Sequence, residues 1–292
     1  MKILSRRLAL VAALCFGAAS LVNAQDVKRV RLGHSFTDAH PRAAAMKQFA
    51  AAVDKATGGK VAIDVYGSAT LGSEDKMLIA VQSGVQELYM GALSPIAARK
   101  KELQIFDVPF IFASDAEAAH VLDGAVGRKM LDGLADMNLQ GLVWAGGAFR
   151  NMSNSKRPLG SMADMKGLKV RVMQSPMALA SFNAMGMNAV PMAFTEVYPA
   201  LEIKALDGYE HPVVDMHANK MFEVQKYLTI TNHVYTPVAL VASKKWWASL
   251  TPQQQADRPY ALGMMEIVPT FETKFAKKAE LSTFMLIYNP KV

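Results

Sequence analysis

Val27-Lys28-Arg29-Val30-Arg31-Leu32 alternates apolar and polar residues and stops at Gly33-His34, the pattern of a strand with one buried face. Outward from it, Pro41 to Ala56 spaces Met46, Phe49 and Val53 as a helix does, and Thr57-Gly58-Gly59 ends that helix. Lys60 to Tyr66 returns to strand, and the loop Gly67 to Gly72 leads into a helix over Ser73 to Gln82. Strand, helix, strand, helix in that order predicts an α/β fold with a largely parallel sheet. Further strands are expected at Gln86 to Met90 and Leu139 to Trp144, with a break at Gly146-Gly147.

The second half begins a new run of elements. Leu168 to Met173 and Val190 to Met192 read as strands around a helix over Pro176 to Met185. Thr195 is expected to cap a helix over Glu196 to Ile203, and Asp207-Gly208 to open another strand. Asp215 to Tyr227 is amphipathic, with Met216, Met221, Val224 and Leu228 on or near one helical face. Asn232 to Ser243 returns to strand, and helix follows from Trp246. Two α/β lobes joined by chain crossings account for this order. Such sheets place ligand groups on loops beyond their strand ends, in the cleft between lobes.

The chain has 292 residues, 51% hydrophobic and 20% charged, which excludes a disordered protein. Residues 1–24 have the form of an export leader: Lys2, Arg6 and Arg7, an apolar run from Leu8 through Val22, and Val22-Asn23-Ala24 as a cleavage site before Gln25. That apolar run is shorter than a membrane span needs. Without the leader, 29 Lys and Arg stand against 25 Asp and Glu, too weak and dispersed an excess for a nucleic-acid surface. The one cysteine, Cys15, falls in the leader, so the mature chain has no thiol for a disulfide, a thiolate metal site or a nucleophile. No later stretch is apolar enough to cross a membrane, and a soluble periplasmic protein is expected. The 19 methionines suit adaptable core and pocket walls.

Catalytic signatures are missing: no G-x-S-x-G, H-E-x-x-H, phosphate loop or G-x-G-x-x-G occurs. His211, Asp215 and His217 come nearest to a metal set, but a spacing of six residues does not bring both imidazoles to one helical face. No metal and no cofactor is expected. Arginine is more informative, because its planar fork binds a carboxylate bidentately. Alternation turns Arg171 to the face opposite Val170 and Val172, and Arg150 follows the turn Gly146-Gly147-Ala148-Phe149. By pattern alone Arg171 reads first as an ordinary exposed strand arginine, and Arg150 equally as a surface arginine or as one aimed into a crevice.

Several spaced motifs carry a resemblance. Asp164-Met165-Lys166-Gly167-Leu168-Lys169-Val170-Arg171-Val172, Pro191-Met192-Ala193-Phe194-Thr195-Glu196-Val197-Tyr198, Leu206-Asp207-Gly208-Tyr209-Glu210 and Phe222-Glu223-Val224-Gln225-Lys226-Tyr227 lie in register with one family. Gly33-His34, His40-Pro41 and Val65-Tyr66 through Leu71-Gly72 extend the match toward the N-terminus. The chain resembles the solute-binding proteins of tripartite ATP-independent periplasmic (TRAP) transporters, of the DctP type, over most of residues 27–255.

The resemblance implies a two-lobed fold, similar to class II periplasmic binding proteins, that closes on a small organic acid and delivers it to integral membrane permease subunits. On it, Arg171 is the carboxylate clamp, Arg150 a second ligand arginine, Phe194 an apolar wall, and Glu74 a cleft residue able to read hydroxyls. Glu74 reads equally as a solvated carboxylate in a first helical turn. Many members have Asn in a Glu-Asn-Pro triplet; here the triplet is Glu210-His211-Pro212, which puts His211 at the third polar position. The expected organisation is the leader over 1–24, a first lobe from 25–147 and 236–275, and a second from 148–235 and 276–292, working as a monomer. Two departures stand out: Glu202-Ile203-Lys204 replaces the family's Gln-Thr-Gly, and the tail from Leu281 to Val292 lacks the charged terminal helix, as a truncated end would. A periplasmic enzyme with His211 as acid/base, or a ligand-binding partner of a sensor kinase, are the other readings.

Overall fold

The computed structural model describes residues 27–256 and 285–287. The leader, Cys15 and most of the tail therefore lie outside the described residues. Among the described residues no helix is long and apolar enough to cross a membrane.

Strand β1 (Lys28–Gly33) buries Val30 and Leu32, while Arg29 and Arg31 on its other face pair with Asp64 and Glu87. Helix α1 (Pro41–Ala56) starts where His40 accepts the Arg42 amide at 3.0 Å and Pro41 occupies the first turn, which needs no amide donor there. It buries Ala45, Met46 and Phe49, and the left-handed Gly58 and Gly59 follow its end. Strand β2 (Val61–Tyr66), helix α2 (Glu74–Ser83) and strand β3 (Leu88–Ala92) complete the first α/β unit, with β1 parallel to both β2 and β3.

Two long strands join this unit to the rest. Strand β4 (Leu139–Asn154) and strand β8 (Tyr227–Ser243) run antiparallel along nearly their whole lengths, from Leu139 opposite Ser243 to Asn154 opposite Tyr227. Between them in sequence come β5 (Lys169–Val172), helix α3 (Pro176–Ala184), β6 (Asn188–Pro191), helix α4 (Val197–Glu202), β7 (Gly208–Pro212) and helix α5 (Val213–Ala218). The strand order is β2-β1-β3-β8-β4-β7-β5-β6, with β9 (Met285–Ile287) parallel to the start of β8.

Each half has its own core. In the first, Tyr235, Ala239 and Val241 of β8 pack with Phe106 and Trp144, while Val238, Leu240 and Ala242 pack with Val30 and Met46. That alternation covers both sheet faces with apolar layers. In the second, Val170 and Val172 pack with Phe182 on one side, and Tyr209, Met216 and Leu228 gather on the other. The molecule is thus a two-lobed α/β protein whose lobes, among the described residues, share β4 and β8 as continuous strands.

Three local expectations need correction. Gly146-Gly147 does not end the strand; β4 continues to Asn154 with a register shift between Trp144 and Gly147, so the glycines form a bulge. Gly146 takes a positive φ of 73°, and a Cβ on Gly147 would lie 2.5 Å from Tyr235 Cε1 and 2.7 Å from the Thr236 carbonyl oxygen. The amphipathic stretch from Asp215 to Tyr227 is not one helix: α5 stops at Ala218, Lys220 turns left-handed, and a 3-10 turn covers Met221–Glu223. Met216, Met221 and Leu228 still share one core, so the apolar pattern was sound and its period misread. Thr195 lies inside a 3-10 turn, Phe194–Glu196, and caps nothing with its side chain.

Gly147→Ala is expected to lower stability by about 1–3 kcal/mol, because Thr236 backbone blocks the added methyl. Urea unfolding checks this through a lower midpoint at unchanged slope.

Candidate functional site

Where the lobes meet, the ends of β1, β5 and β7 and the crossing points of β4 and β8 surround a cavity of about 580 Å³, counted out to its open mouth. All five residues singled out in the sequence, Glu74, Arg150, Arg171, Phe194 and His211, line it. Their positions follow from the backbone. Arg171 sits on β5 between Val170 and Val172, which turn into the second lobe's core and leave Arg171 facing the other side. Arg150 lies on β4 just past the glycine bulge, and His211 is the next-to-last residue of β7.

The two arginines differ in what they already hold. Arg150 is buried against Glu210: its Nε donates to Oε2, and its Nη2 donates to Oε1 at 2.8 Å and to the Glu210 carbonyl oxygen at 2.7 Å. Its Nη1 stands 3.5 Å from Thr236 Oγ1 on the cavity wall. Arg171 is also buried, but its one hydrogen bond goes from Nε to the Met192 carbonyl oxygen at 2.9 Å. Among the described residues no carboxylate pairs with it. Burial brings Arg171 down to about 10, and Arg150 adds to this against the pull of Glu210 and Glu74. It stays a cation at neutral pH, stacked 5.9 Å from the centre of the Phe194 ring.

The acidic and imidazole groups complete the lining. Glu74, at the start of α2, accepts the Ser35 hydroxyl at 2.7 Å, and burial raises its pKa. Burial brings His211 down to about 3 despite the opposing charge of Asp215, so the imidazole is neutral at physiological pH. Its Nδ1 is buried with no hydrogen-bond partner, and its ring lies 4.7 Å from that of Phe194. Asp215 faces His40 across the lobes, with Oδ1 3.2 Å from Nε2. Burial pushes the Asp215 carboxyl up, yet His40 and His211 hold it well below the ordinary carboxylate range. The His40 tautomer is fixed by α1, because Nδ1 accepts the Arg42 amide and leaves the proton on Nε2.

Sequence reading missed Ser35, Arg42, Asp215 and Asn219, all of which line the cavity. Arg42 offered a signal, as a lone cation in the otherwise apolar first turns of α1. Ser35 offered one too, in the loop directly after β1, where ligand groups collect in α/β folds. His211, Asp215 and His217 form no metal set, and no group of three potential ligands occurs among the described residues.

Glu210 should leave a trace in acid. Burial pushes its carboxyl up from the ordinary 4.5, but Arg150 and His233 outweigh this and bring it down to about 2. The stabilisation it contributes is complete above about 4.5 and is lost as the pH falls toward 2. Glu210→Gln is expected to flatten that acid limb in urea unfolding at stepped pH, and to lower stability at neutral pH by stranding Arg150.

Comparison with known proteins agrees with this geometry. Residues 32–258 match DctP, the bacterial extracellular solute-binding protein, family 7. The 2,3-diketo-L-gulonate-binding periplasmic protein YiaO of Escherichia coli (strain K12) is 34% identical over 238 residues, covering 82% of this chain and 73% of its own. The sugar acid binding protein DctPAm of Advenella mimigardefordensis, solved in complex with galactonate, superposes with a TM-score of 0.86 at 34% identity, over 91% of this chain and 88% of its own. A TRAP periplasmic solute-binding protein from Polaromonas, bound to D-erythronate, gives 0.85 at 29% identity, over 90% and 88%. A match over most of the chain, a shared two-lobed fold and a cavity at the lobe junction place this protein in the DctP family of TRAP periplasmic solute-binding proteins, which bind solutes for transport and are not enzymes.

Proposed function

We propose that this protein captures a polyhydroxylated monocarboxylate, an aldonate or hexuronate, and delivers it to the membrane permease subunits of a TRAP transporter. The observation that carries the reading is Arg171: a buried guanidinium, facing the cavity, with no carboxylate partner of its own among the described residues. A ligand carboxylate supplies the missing charge. It meets the fork of Arg171, with Arg150 Nη1 beside it and the Phe194 ring closing one wall. Glu74 accepts hydroxyl protons, and the neutral His211 ring donates or accepts.

Charge balance favours one carboxylate over two. Arg150 is neutralised by Glu210, and Asp215 is held ionised by its neighbours. A second anionic end would face Glu74 and Asp215 in a low-dielectric pocket, where like charges repel strongly. The galactonate and D-erythronate bound by the two structural relatives, and the 2,3-diketo-L-gulonate named for the Escherichia coli relative, are acids of the proposed kind.

The rest of the assignment follows the same line. Residues 1–24 serve as the leader that directs export to the periplasm. Among the described residues the first lobe takes 27–147 and 236–256 and the second 148–235, a division supported by Trp144 and Ala239 in the core of one and by Met152 and Leu228 in the two clusters of the other, with Tyr235 at the boundary packing into the first. The expected division of 257–292 lies largely outside the described residues. On this reading the receptor works as a monomer.

A thermal-shift panel on the chain from Gln25 tests the ligand class, since a ligand of the folded state alone raises the melting temperature. D-galactonate is expected to shift it clearly, and galactarate, which differs by its second carboxylate, much less. Tighter binding of succinate or malate than of any monocarboxylate sinks the charge argument. Arg171→Ala is expected to weaken binding by about 2–5 kcal/mol with the fold intact. Arg150→Ala should instead cost about 3–5 kcal/mol of folding stability, because it leaves Glu210 buried and unpaired; calorimetry and urea unfolding separate the two effects.

A further inference from the structure

We propose that Asp107, which does not touch the cavity, is the latch that holds the closed lobes together and sets how long a ligand is kept; this rests on the cavity being the carboxylate site. Asp107 ends a 3-10 turn, Lys101–Asp107, whose Leu103 and Phe106 belong to the first lobe's core. Its Oδ1 accepts the hydroxyl of Ser94, from the same lobe, at 2.7 Å. Its Oδ2 accepts the hydroxyl of Ser175 at 2.7 Å, and Ser175 precedes α3, whose Ala178 and Phe182 lie in the second lobe's core. One carboxylate thus binds home with one oxygen and across the lobes with the other. All three side chains are buried, so water does not compete for these bonds.

The position couples the latch to the ligand. Ser175 lies four residues beyond Arg171 on the same segment, so a carboxylate that draws Arg171 toward the first lobe brings Ser175 to Asp107. Neither Asp107 nor Ser175 lines the cavity, whereas two other side-chain contacts across the lobes, His40 with Asp215 and Thr37 Oγ1 with the Ala218 carbonyl oxygen, involve a cavity residue or its helix; the Phe110 amide also meets the His233 carbonyl oxygen at 2.8 Å, beside β8. With the lobes apart, water solvates the carboxylate and the Ser175 hydroxyl. With them together, separation exposes a buried carboxylate bond, and dissociation of the ligand has to wait for it.

The test uses D-galactonate and reads rates. Asp107→Ala is expected to raise koff about tenfold, the scale of one hydrogen bond to a charged group, with kon little changed. Ser175→Ala does the same, and the double variant releases ligand no faster than the faster single one, because both substitutions remove one contact. Ser94→Ala keeps the bond across the lobes and stays within about twofold of wild type. Ser175 also accepts the Ala178 amide at 3.3 Å as the cap of α3, so Asp107→Ala, which spares that cap, is the deciding variant. Unchanged koff in Asp107→Ala, or multiplying effects in the double variant, overturns the latch. If D-galactonate does not bind wild type, the ligand reading fails and the latch is read without it. Spin labels on Lys55→Cys and Glu202→Cys, one per lobe, are then expected to show longer separations in Asp107→Ala; an unchanged distribution overturns the latch.

Discussion

The buried ion pair between Arg150 and Glu210 is the constraint on which the site depends. Two full charges taken out of water at the junction of the lobes are tolerable only when each satisfies the other in good geometry. Their contact ties β4 to β7, where Met152 faces Glu210 and Arg150 faces Pro212 in the ladder. That fixes the end of β7, from which His211 and then Asp215 on α5 enter the cavity. The same pairing shapes the cavity's chemistry: with Arg150 answered by Glu210, Arg171 stands in the lining with no carboxylate paired to it among the described residues.

Around that cation the remaining groups are held in useful states by their surroundings. Burial keeps the His211 ring neutral, so that it recognises a polar neutral group. His40, its tautomer set by capping α1, faces Asp215 from the opposite lobe and helps hold it ionised. A receptor of this design performs no chemistry. Its work is a population shift: a ligand that meets both lobes at once binds the closed form more tightly than the open one, and closure excludes the water that would weaken the pairing. Among the described residues β4 and β8 are the continuous strands that link the lobes.

Much of this was legible along the chain. Val30 and Leu32 alternate with charged residues because one face of β1 is buried, and α1 is bounded by residues that cap and stop helices for local reasons. Arg171 was legible because alternation on a short strand fixes which side it faces. The misreadings share one cause. Gly146-Gly147 looks like a terminus because glycine ends strands, and only the tight passage beside Tyr235 and Thr236 shows that it serves a bulge inside one. Met221, Val224 and Leu228 looked helical because they are three and four residues apart, yet a turn and a strand bring Met221 and Leu228 into one core with Met216.

By itself, then, the sequence determined the α/β class, the order of its elements and the family, because periodicity, caps and spaced motifs are local. Only the tertiary structure decided that Arg150 is already spoken for while Arg171 is not, that Asp215 meets His40, and that Asp107 joins Ser94 to Ser175. Glu210 lies 60 residues from Arg150, and Ser175 lies 68 from Asp107. Partners that distant meet only when two lobes fold against shared strands, and the charge state and hydrogen bonding of a buried group are properties of what surrounds it.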